Sequence, residues 1–475
     1  MKSLKALFVL ALAVAFTVPA YAETQNVKVS GSIDAYWFVR DNFDLRKKND
    51  MSVVPTSTVS YTGGGATLTN NRENVADYFM GITQIEVAAD LTDNVSTVIN
   101  LVNQRDWNAH GFGESTLSSS PLNTPNEYDI TLDLAYVQMK EIFYSPLTLT
   151  IGRQDLLFGR GFIIGWNPQD TQSTIAADEY TAVQSFDAVR ATLDFNPWTI
   201  DLVYSKIAEN ALNAEDDKDL YIANVNYKFA EYNAVAEGYY VGEMDRATLS
   251  THTTASVGSN DTHIIGGRVQ FDPISQITLG GEVAYAFGNY RAVATAPDRD
   301  RSAWALDLFG EYRWDYTWKP MLGLEYVVLS GESDLSNTTA EYGAWNDNYR
   351  GPTYGRIHEY LETYYGTAQS NDQPSSQNLE LINLYGTLKP LEDLQLSANF
   401  YYFWGNEDMH STLTNPASST LSKDIGYEID TMITYSYTED VSFNFIADWF
   451  VPGDLYSSPN DATAGEYITS VKVTF

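Results

Sequence analysis

The chain has 475 residues, a formal net charge of −34 at pH 7 and no cysteine. So negative a chain is a poor candidate for nucleic-acid binding, which needs a basic surface. Without cysteine it can have neither a disulfide framework nor a thiolate metal site. Its high aromatic content and slightly negative mean hydropathy fit a membrane barrel, although a soluble all-β protein could share them.

Residues 1–22 have the pattern of a secretory signal peptide. Lys2 and Lys5 give a basic start, an apolar run follows, and small residues precede a cleavage site after Ala22. The run is too short to cross a bilayer comfortably as a helix, which needs about 20 apolar residues. We therefore expect one mature domain, 23–475, that can enter a membrane only through strands, because a closed barrel also satisfies its own backbone in lipid.

Segments in which apolar and polar residues alternate recur along the whole mature chain. Alternation places one face of a strand in lipid and the other in water, and most segments exceed the roughly 9–11 residues of a tilted spanning strand. The last segment ends on an aromatic residue, Phe475, as the C-terminal strand of an outer-membrane barrel does. The eighteen predicted strands are 27–41, 79–92, 95–107, 129–142, 147–159, 185–198, 199–209, 219–230, 232–244, 262–273, 276–289, 302–315, 318–332, 378–392, 393–407, 424–440, 441–455 and 464–475.

Short and long connections alternate between these strands. Eight short turns and nine long loops are what eighteen strands require when both termini lie on the side of the short turns. The pattern predicts an all-β fold: a transmembrane antiparallel up-and-down β-barrel of about 18 strands, in the outer membrane of a diderm bacterium. A barrel this wide can hold an aqueous channel. Loops 42–78, 160–184 and 333–377 are long enough to fold inward, but we expect ordinary external loops.

The alternation also predicts which charges line the lumen. Since a charge facing lipid near mid-bilayer costs up to about 2–4 kcal/mol, the charged face should point inward. Acids outnumber bases on this face, and this predicts a mild cation preference. The inward acids are Asp34, Glu86, Asp133, Asp194, Asp201, Glu237, Glu282, Asp307, Glu311, Glu325, Glu428, Asp430 and Asp448, and the inward bases are Lys28, Arg40, Arg190, Lys228, Arg268, Arg313 and Lys472.

Two short motifs resemble those of the alginate-export outer-membrane barrels. The stretch 151–166 contains Gly152-Arg153-Gln154 and then Phe158-Gly159, and a later strand carries Phe186-Asp187-Ala188-Val189-Arg190. The motif-level resemblance covers roughly residues 150–195. It implies a passive, porin-like outer-membrane channel, which in the best-known members carries an anionic polysaccharide. The surplus of lumenal acids departs from that pattern, because a polyuronate conduit should be lined mainly by bases.

Ten residues are candidates for lining the lumen or binding the solute. Arg190 should point inward and could hold a carboxylate in a bidentate manner, or it could pair with lumenal acids and brace the wall. The parity of Arg153 aims it at lipid, unless Gly152 forms a bulge that switches the face. Without a bulge, Arg153 lies at the headgroup boundary. The candidates are Arg153, Asp155, Arg160, Arg190, Asp194, Arg268, Glu282, Asp307, Glu311 and Arg313.

No catalytic or metal-binding set can be assembled from the sequence. The five histidines lie in predicted loops or strand tips without metal-ligand spacing, and we expect surface positions for His110, His252, His263, His358 and His410. We predict no enzyme and no cofactor. The expected partners are outer-membrane lipid, lipopolysaccharide and a hydrophilic solute, which could be a polysaccharide or oligosaccharide. The alternative function is a structural or surface-binding barrel with a blocked lumen.

Overall fold

The computed structural model describes most of the mature chain. The described residues are 26–43, 45–46, 75–107, 130–167, 175–209, 217–246, 260–291, 298–333, 341–365, 367–368, 378–411, 421–456, 458 and 460–475. The predicted signal peptide, 1–22, lies outside them, as do His110, His252 and most of loop 42–78.

Eighteen long strands form the wall, as predicted, and their bounds agree with the predicted segments to within a few residues. They are β1 (Asn26–Asp41), β2 (Val75–Thr92), β3 (Val95–Asp106), β4 (Thr131–Met139), β5 (Leu147–Gln154), β6 (Phe186–Asp194), β7 (Trp198–Ala208), β8 (Lys218–Lys228), β9 (Val235–Asp245), β10 (Asn260–Ile274), β11 (Ile277–Tyr290), β12 (Arg299–Arg313), β13 (Met321–Leu329), β16 (Leu379–Leu391), β17 (Leu394–Ser411), β18 (Ser422–Ser436), β19 (Val441–Pro452) and β20 (Ala464–Thr474). The two short strands β14 (Glu341–Tyr342) and β15 (Thr367–Ala368) complete the numbering.

The barrel closes between its first and last strands. β1 pairs antiparallel with β20, from Ser32 opposite Thr474 to Asp41 opposite Gly465. Gly31 and Phe475 then exchange two backbone hydrogen bonds of 2.9 and 3.0 Å. Every other spanning strand pairs antiparallel with its neighbour in the chain. The wall therefore has no free edge, as a barrel in lipid requires.

Side chains alternate between the two faces as the sequence predicts. On β12, Trp304, Leu308 and Tyr312 are exposed on the outer face, whereas Ala305 and Asp307 are buried on the inner face. The outer band of apolar and aromatic residues is the surface that meets lipid. No helix among the described residues is long and apolar enough to cross a membrane.

Two long loops fold into the lumen, contrary to the expectation of external loops. Inner loop 1 connects β5 to β6 (155–185), and its described residues are 155–167 and 175–185. Inner loop 2 connects β13 to β16 (330–378) and contains helix α1 (Arg356–Tyr365), and its described residues are 330–333, 341–365, 367–368 and 378. Phe162 and Ile164 of inner loop 1 are 1% and 2% exposed, and Ile357 of α1 is fully buried. The prediction was wrong because these loops carry enough apolar side chains to form a core inside the barrel.

Candidate functional site

A hydrophobic core formed by the inner loops and the wall lies in the upper lumen, on the side of the long loops. Trp345 and Ile357 of inner loop 2 and Phe162 of inner loop 1 belong to the same cluster as the wall residues Val327 and Phe403, and all five are at most 1% exposed. Burying such a side chain stabilises by about 1.5–3 kcal/mol, which offsets the roughly 1–2 kcal/mol lost in ordering each residue's backbone. The loops narrow the lumen at this level.

The lower lumen, near the short turns, is more open. Along β12 the inward side chains become more exposed from top to bottom: Asp307 is 3% exposed and Phe309 is 8% exposed, whereas the Arg313 side chain reaches 49%. The inward side chains of β12 are therefore covered in the upper lumen and exposed to solvent in the lower lumen.

Arg160 anchors inner loop 1 to the wall. Its Nη1 lies 3.0 Å from Asp307 and its Nη2 lies 2.8 Å from Glu325, while the guanidinium carbon lies 3.9 Å from the centre of the Phe309 ring. Burial would lower the pKa of Arg160, but the carboxylates of Glu325 and Asp307 outweigh it and raise the pKa. Arg160 thus stays charged, and its single positive charge offsets one of the two negative charges of these wall acids.

Arg356 anchors inner loop 2 in the same way. Its Nη1 lies 2.9 Å from Asp448 and 3.7 Å from Asp430. Burial would lower the pKa of Arg356, but these two carboxylates raise it well above its usual range. Each inner loop therefore places one arginine between two acids of the wall, and these contacts reduce the negative charge that the sequence predicted for the lumen.

Glu428 of β18 holds the start of α1. Its carboxylate accepts the backbone N–H groups of Ile357 and His358, both at 2.8 Å, and the residue is fully buried. The first N–H groups of a helix have no partner within the helix, and Glu428 supplies an acceptor for two of them. One wall side chain thus fixes the position and direction of α1.

Arg190 and Asp194 both face the lumen. The Nε of Arg190 donates to Asp201 at 2.9 Å, and Thr192 donates to the same carboxylate oxygen at 2.6 Å. This geometry matches the bracing role considered for Arg190, yet its side chain remains 27% exposed. Asp194 is exposed at the lower end of β6, where its Oδ1 accepts the backbone N–H of Asn196.

Arg268 and Glu282 lie on adjacent strands behind inner loop 1. Arg268 pairs with Glu237 at 2.9 Å, and Glu282 accepts a hydrogen bond of 2.7 Å from Tyr239. Both candidates are less than 10% exposed. They are wall residues covered by the loop and do not reach the open lumen.

Glu311 and Arg313 lie lower on β12, where water enters. They pair with each other, and Glu311 also accepts a hydrogen bond of 3.0 Å from Tyr385.

Asp155 follows β5 at the start of inner loop 1, and its side chain is exposed. Partial desolvation and the nearby carboxylates of Asp133 and Glu86 raise the pKa of Asp155 above its ordinary value.

Arg153 lies on the outer face and is not a lumen residue. It pairs with Asp187 at 3.3 Å, and the Asp187 side chain is 64% exposed. The β4–β5 register runs without a shift past Gly152, so no bulge reverses the face. Gly152 has a positive φ of 122°, and a Cβ there would lie 2.2 Å from the carbonyl oxygen of Ala135. The motif glycine therefore permits the close approach of β4 to β5.

His358, expected at the surface, is buried. It lies in α1, where its ring stacks on Phe403 with centroids 4.0 Å apart.

The anchor Arg356 was not among the sequence candidates. The signal that could have located it is the helical spacing of Ile357, Tyr360 and Leu361 after Gly355, because apolar residues at such intervals form one helix face.

A family model described as alginate export matches residues 66–470. No curated protein matches the chain.

Solved structures from Pseudomonas aeruginosa have the same fold. OpdK with vanillate has a TM-score of 0.52 at 11% identity, with 95% of this chain and 100% of that chain covered. OccK9 (OpdG) has a TM-score of 0.52 at 11% identity, with 95% of this chain and 99% of that chain covered. OccK2 (OpdF) in complex with glucuronate has a TM-score of 0.50 at 10% identity, with 95% of this chain and 99% of that chain covered. The chain belongs to the alginate export family and is an outer-membrane β-barrel channel for solute passage.

Proposed function

We propose that the channel passes small hydrophilic solutes that carry a carboxylate, with acidic sugars as the leading class. The observation that carries this proposal is the incomplete pairing of Arg190. Only its Nε has a carboxylate partner within the described residues, and 27% of its side chain meets the lumen. A guanidinium has five N–H donors in a fork that fits a carboxylate, so Nη1 and Nη2 can contact a passing anion.

The size of the passage favours a small solute over a thick polymer. Two inner loops pack against the wall in the upper lumen, leaving less room than an empty eighteen-stranded barrel would. Vanillate and glucuronate, the molecules named with OpdK and OccK2, are both small carboxylates. We also propose that this chain takes up such molecules and has no catalytic activity. Outer-membrane lipid and lipopolysaccharide are its proposed surroundings.

A second candidate is a structural barrel whose lumen is closed. The core of inner-loop and wall residues, with Val327 and Phe403 fully buried, favours this alternative. Single-channel recording in planar bilayers separates the two, since a closed barrel gives no steady conductance.

Proteoliposome uptake tests the solute class. Wild type should admit glucuronate faster than glucose, and Arg190→Gln should reduce this preference by roughly tenfold, the loss expected when about 1.4 kcal/mol of contact is removed. Arg246→Gln, at an exposed arginine beyond β9, is the matched control and should behave as wild type. If glucuronate and glucose entered at equal rates through both wild type and Arg190→Gln, the acidic-sugar proposal would be contradicted. The assignment of the protein as a channel would be unaffected.

A further inference from the structure

The two inner loops touch each other through glycine backbones. A Cβ on Gly165 of inner loop 1 would lie 2.6 Å from Gly351 Cα and 2.7 Å from Gly351 N in inner loop 2. A Cβ on Gly351 would lie 3.1 Å from Gly165 Cα. Main-chain atoms cannot rotate away as a flexible side chain can, so this approach excludes a side chain on Gly165 and leaves little room for one on Gly351.

Backbone hydrogen bonds join the loops at the same point. Gly165 N–H donates to Tyr349 O at 2.7 Å, and Gly351 N–H donates to Gly161 O at 2.8 Å. Hydrogen bonds thus run in both directions across the contact, and Trp166 N–H adds a longer bond of 3.3 Å to Tyr349 O. We call these four residues, Gly161, Gly165, Tyr349 and Gly351, the glycine junction.

Close to the glycine junction in sequence, each of the two loops is tied to a different part of the wall. Arg160 ties inner loop 1 to Asp307 on β12 and Glu325 on β13. Arg356 ties inner loop 2 to Asp448 on β19 and Asp430 on β18. With the glycine junction between them, the loops form one unit that crosses the lumen from one group of strands to another.

We propose that Gly165 and Gly351 are positioning residues for conduction: the glycine junction holds the inner loops together and thereby sets the cross-section of the passage beside them. Ions and solutes move through the water-filled space that the joined loops leave. Conduction through a pore depends on the radius of its narrowest part, so separating the loops should widen the passage. This role does not depend on which solute the channel carries.

A methyl group placed in the junction tests the proposal. In Gly165→Ala the new Cβ must displace the backbone of Gly351, and we expect single-channel conductance in potassium chloride to rise by roughly twofold or more. Gly351→Ala, with its longer 3.1 Å approach, should give a smaller rise. Gly238→Ala on β9 is the matched control, because a Cβ there meets nothing within 4 Å, and its conductance should stay at the wild-type value.

Folding is followed separately by the mobility of unheated samples in gel electrophoresis, which reports the intact barrel. If Gly165→Ala does not fold, Gly351→Ala decides the question. Folded junction variants with wild-type conductance, or with reduced conductance, would overturn the proposal. Failure of both variants to fold would also overturn it, since the glycines would then serve barrel assembly and not the passage.

Discussion

The guanidinium of Arg356 in α1 lies 2.9 Å from the carboxylate of Asp448 on the barrel wall. Asp448 is fully buried and Asp430, beside it in register on β18, is 3% exposed. Two neighbouring buried carboxylates repel each other, and a cation between them removes that repulsion. Inner loop 2 therefore supplies the positive charge that this pair of wall carboxylates lacks.

Removing this cation should loosen inner loop 2. In Arg356→Gln, Asp448 and Asp430 lose their counter-charge, and we expect a destabilisation below the about 3–5 kcal/mol of a fully buried pair, because the Arg356 side chain is 25% exposed. Hydrogen exchange measured by mass spectrometry should show faster exchange in α1. Arg246→Gln serves as the control, and unchanged exchange in Arg356→Gln would contradict an anchoring role.

Arg160 should control ion selectivity. Arg160→Gln leaves the carboxylates of Asp307 and Glu325 without their cation, so the passage becomes more negative and the ratio of potassium to chloride permeability should rise by roughly twofold or more. The measurement is the reversal potential in a potassium chloride gradient. Adding Asp307→Asn to Arg160→Gln should bring the ratio back toward wild type; a ratio that stays at the wild-type value in Arg160→Gln would refute the assignment.

The wall of this barrel could be predicted from the sequence because its signal is local. An alternation of period two is visible within each strand, so the strand count, the strand bounds and the inward acids such as Glu428 and Asp448 follow without knowledge of the fold. The end-to-end contact of Gly31 with Phe475 follows from closure of the barrel.

The inner loops could not be predicted because their contacts join distant parts of the chain. Arg160 and Asp307 are 147 positions apart, and Arg356 and Asp448 are 92 apart. The segment that forms α1 carries a helical spacing of Ile357, Tyr360 and Leu361, but this local pattern does not indicate that the helix lies inside the barrel. The surplus of inward acids was a further indication, because buried charges need partners, and the loops bring those partners.

Asp155 should make stability depend on pH. Its pKa is raised in the folded protein by partial desolvation and by Asp133 and Glu86. A carboxyl group whose pKa is higher in the folded than in the unfolded protein stabilises the folded state while it is protonated. This stabilisation is complete below the pKa of the unfolded chain, about 3.9, and is lost as pH rises through the pKa of the folded protein. Asp155→Asn should therefore gain stability relative to wild type as pH rises through that window.

Thermal unfolding midpoints of wild type and Asp155→Asn, taken across the acidic range, measure this difference. Asp315→Asn, at an exposed aspartate in the turn between β12 and β13, is the control. A difference between wild type and Asp155→Asn that is the same at every pH, or that changes in the opposite direction, would exclude the assigned environment.

Glu428 should determine whether α1 stays docked. Glu428→Ala leaves the N–H groups of Ile357 and His358 without their 2.8 Å acceptor, and each buried unpaired donor costs about 1–3 kcal/mol. Glu428→Gln keeps one acceptor oxygen but places an amide NH2 where the second acceptor was, so one of the two N–H groups loses its partner at a cost of about 1–3 kcal/mol. Exchange of the α1 amides should therefore be slowest in wild type, intermediate in Glu428→Gln and fastest in Glu428→Ala. If the alanine and glutamine variants exchanged at the same rate as wild type, the apolar contacts of Ile357 and Leu361 alone would hold the helix in the lumen.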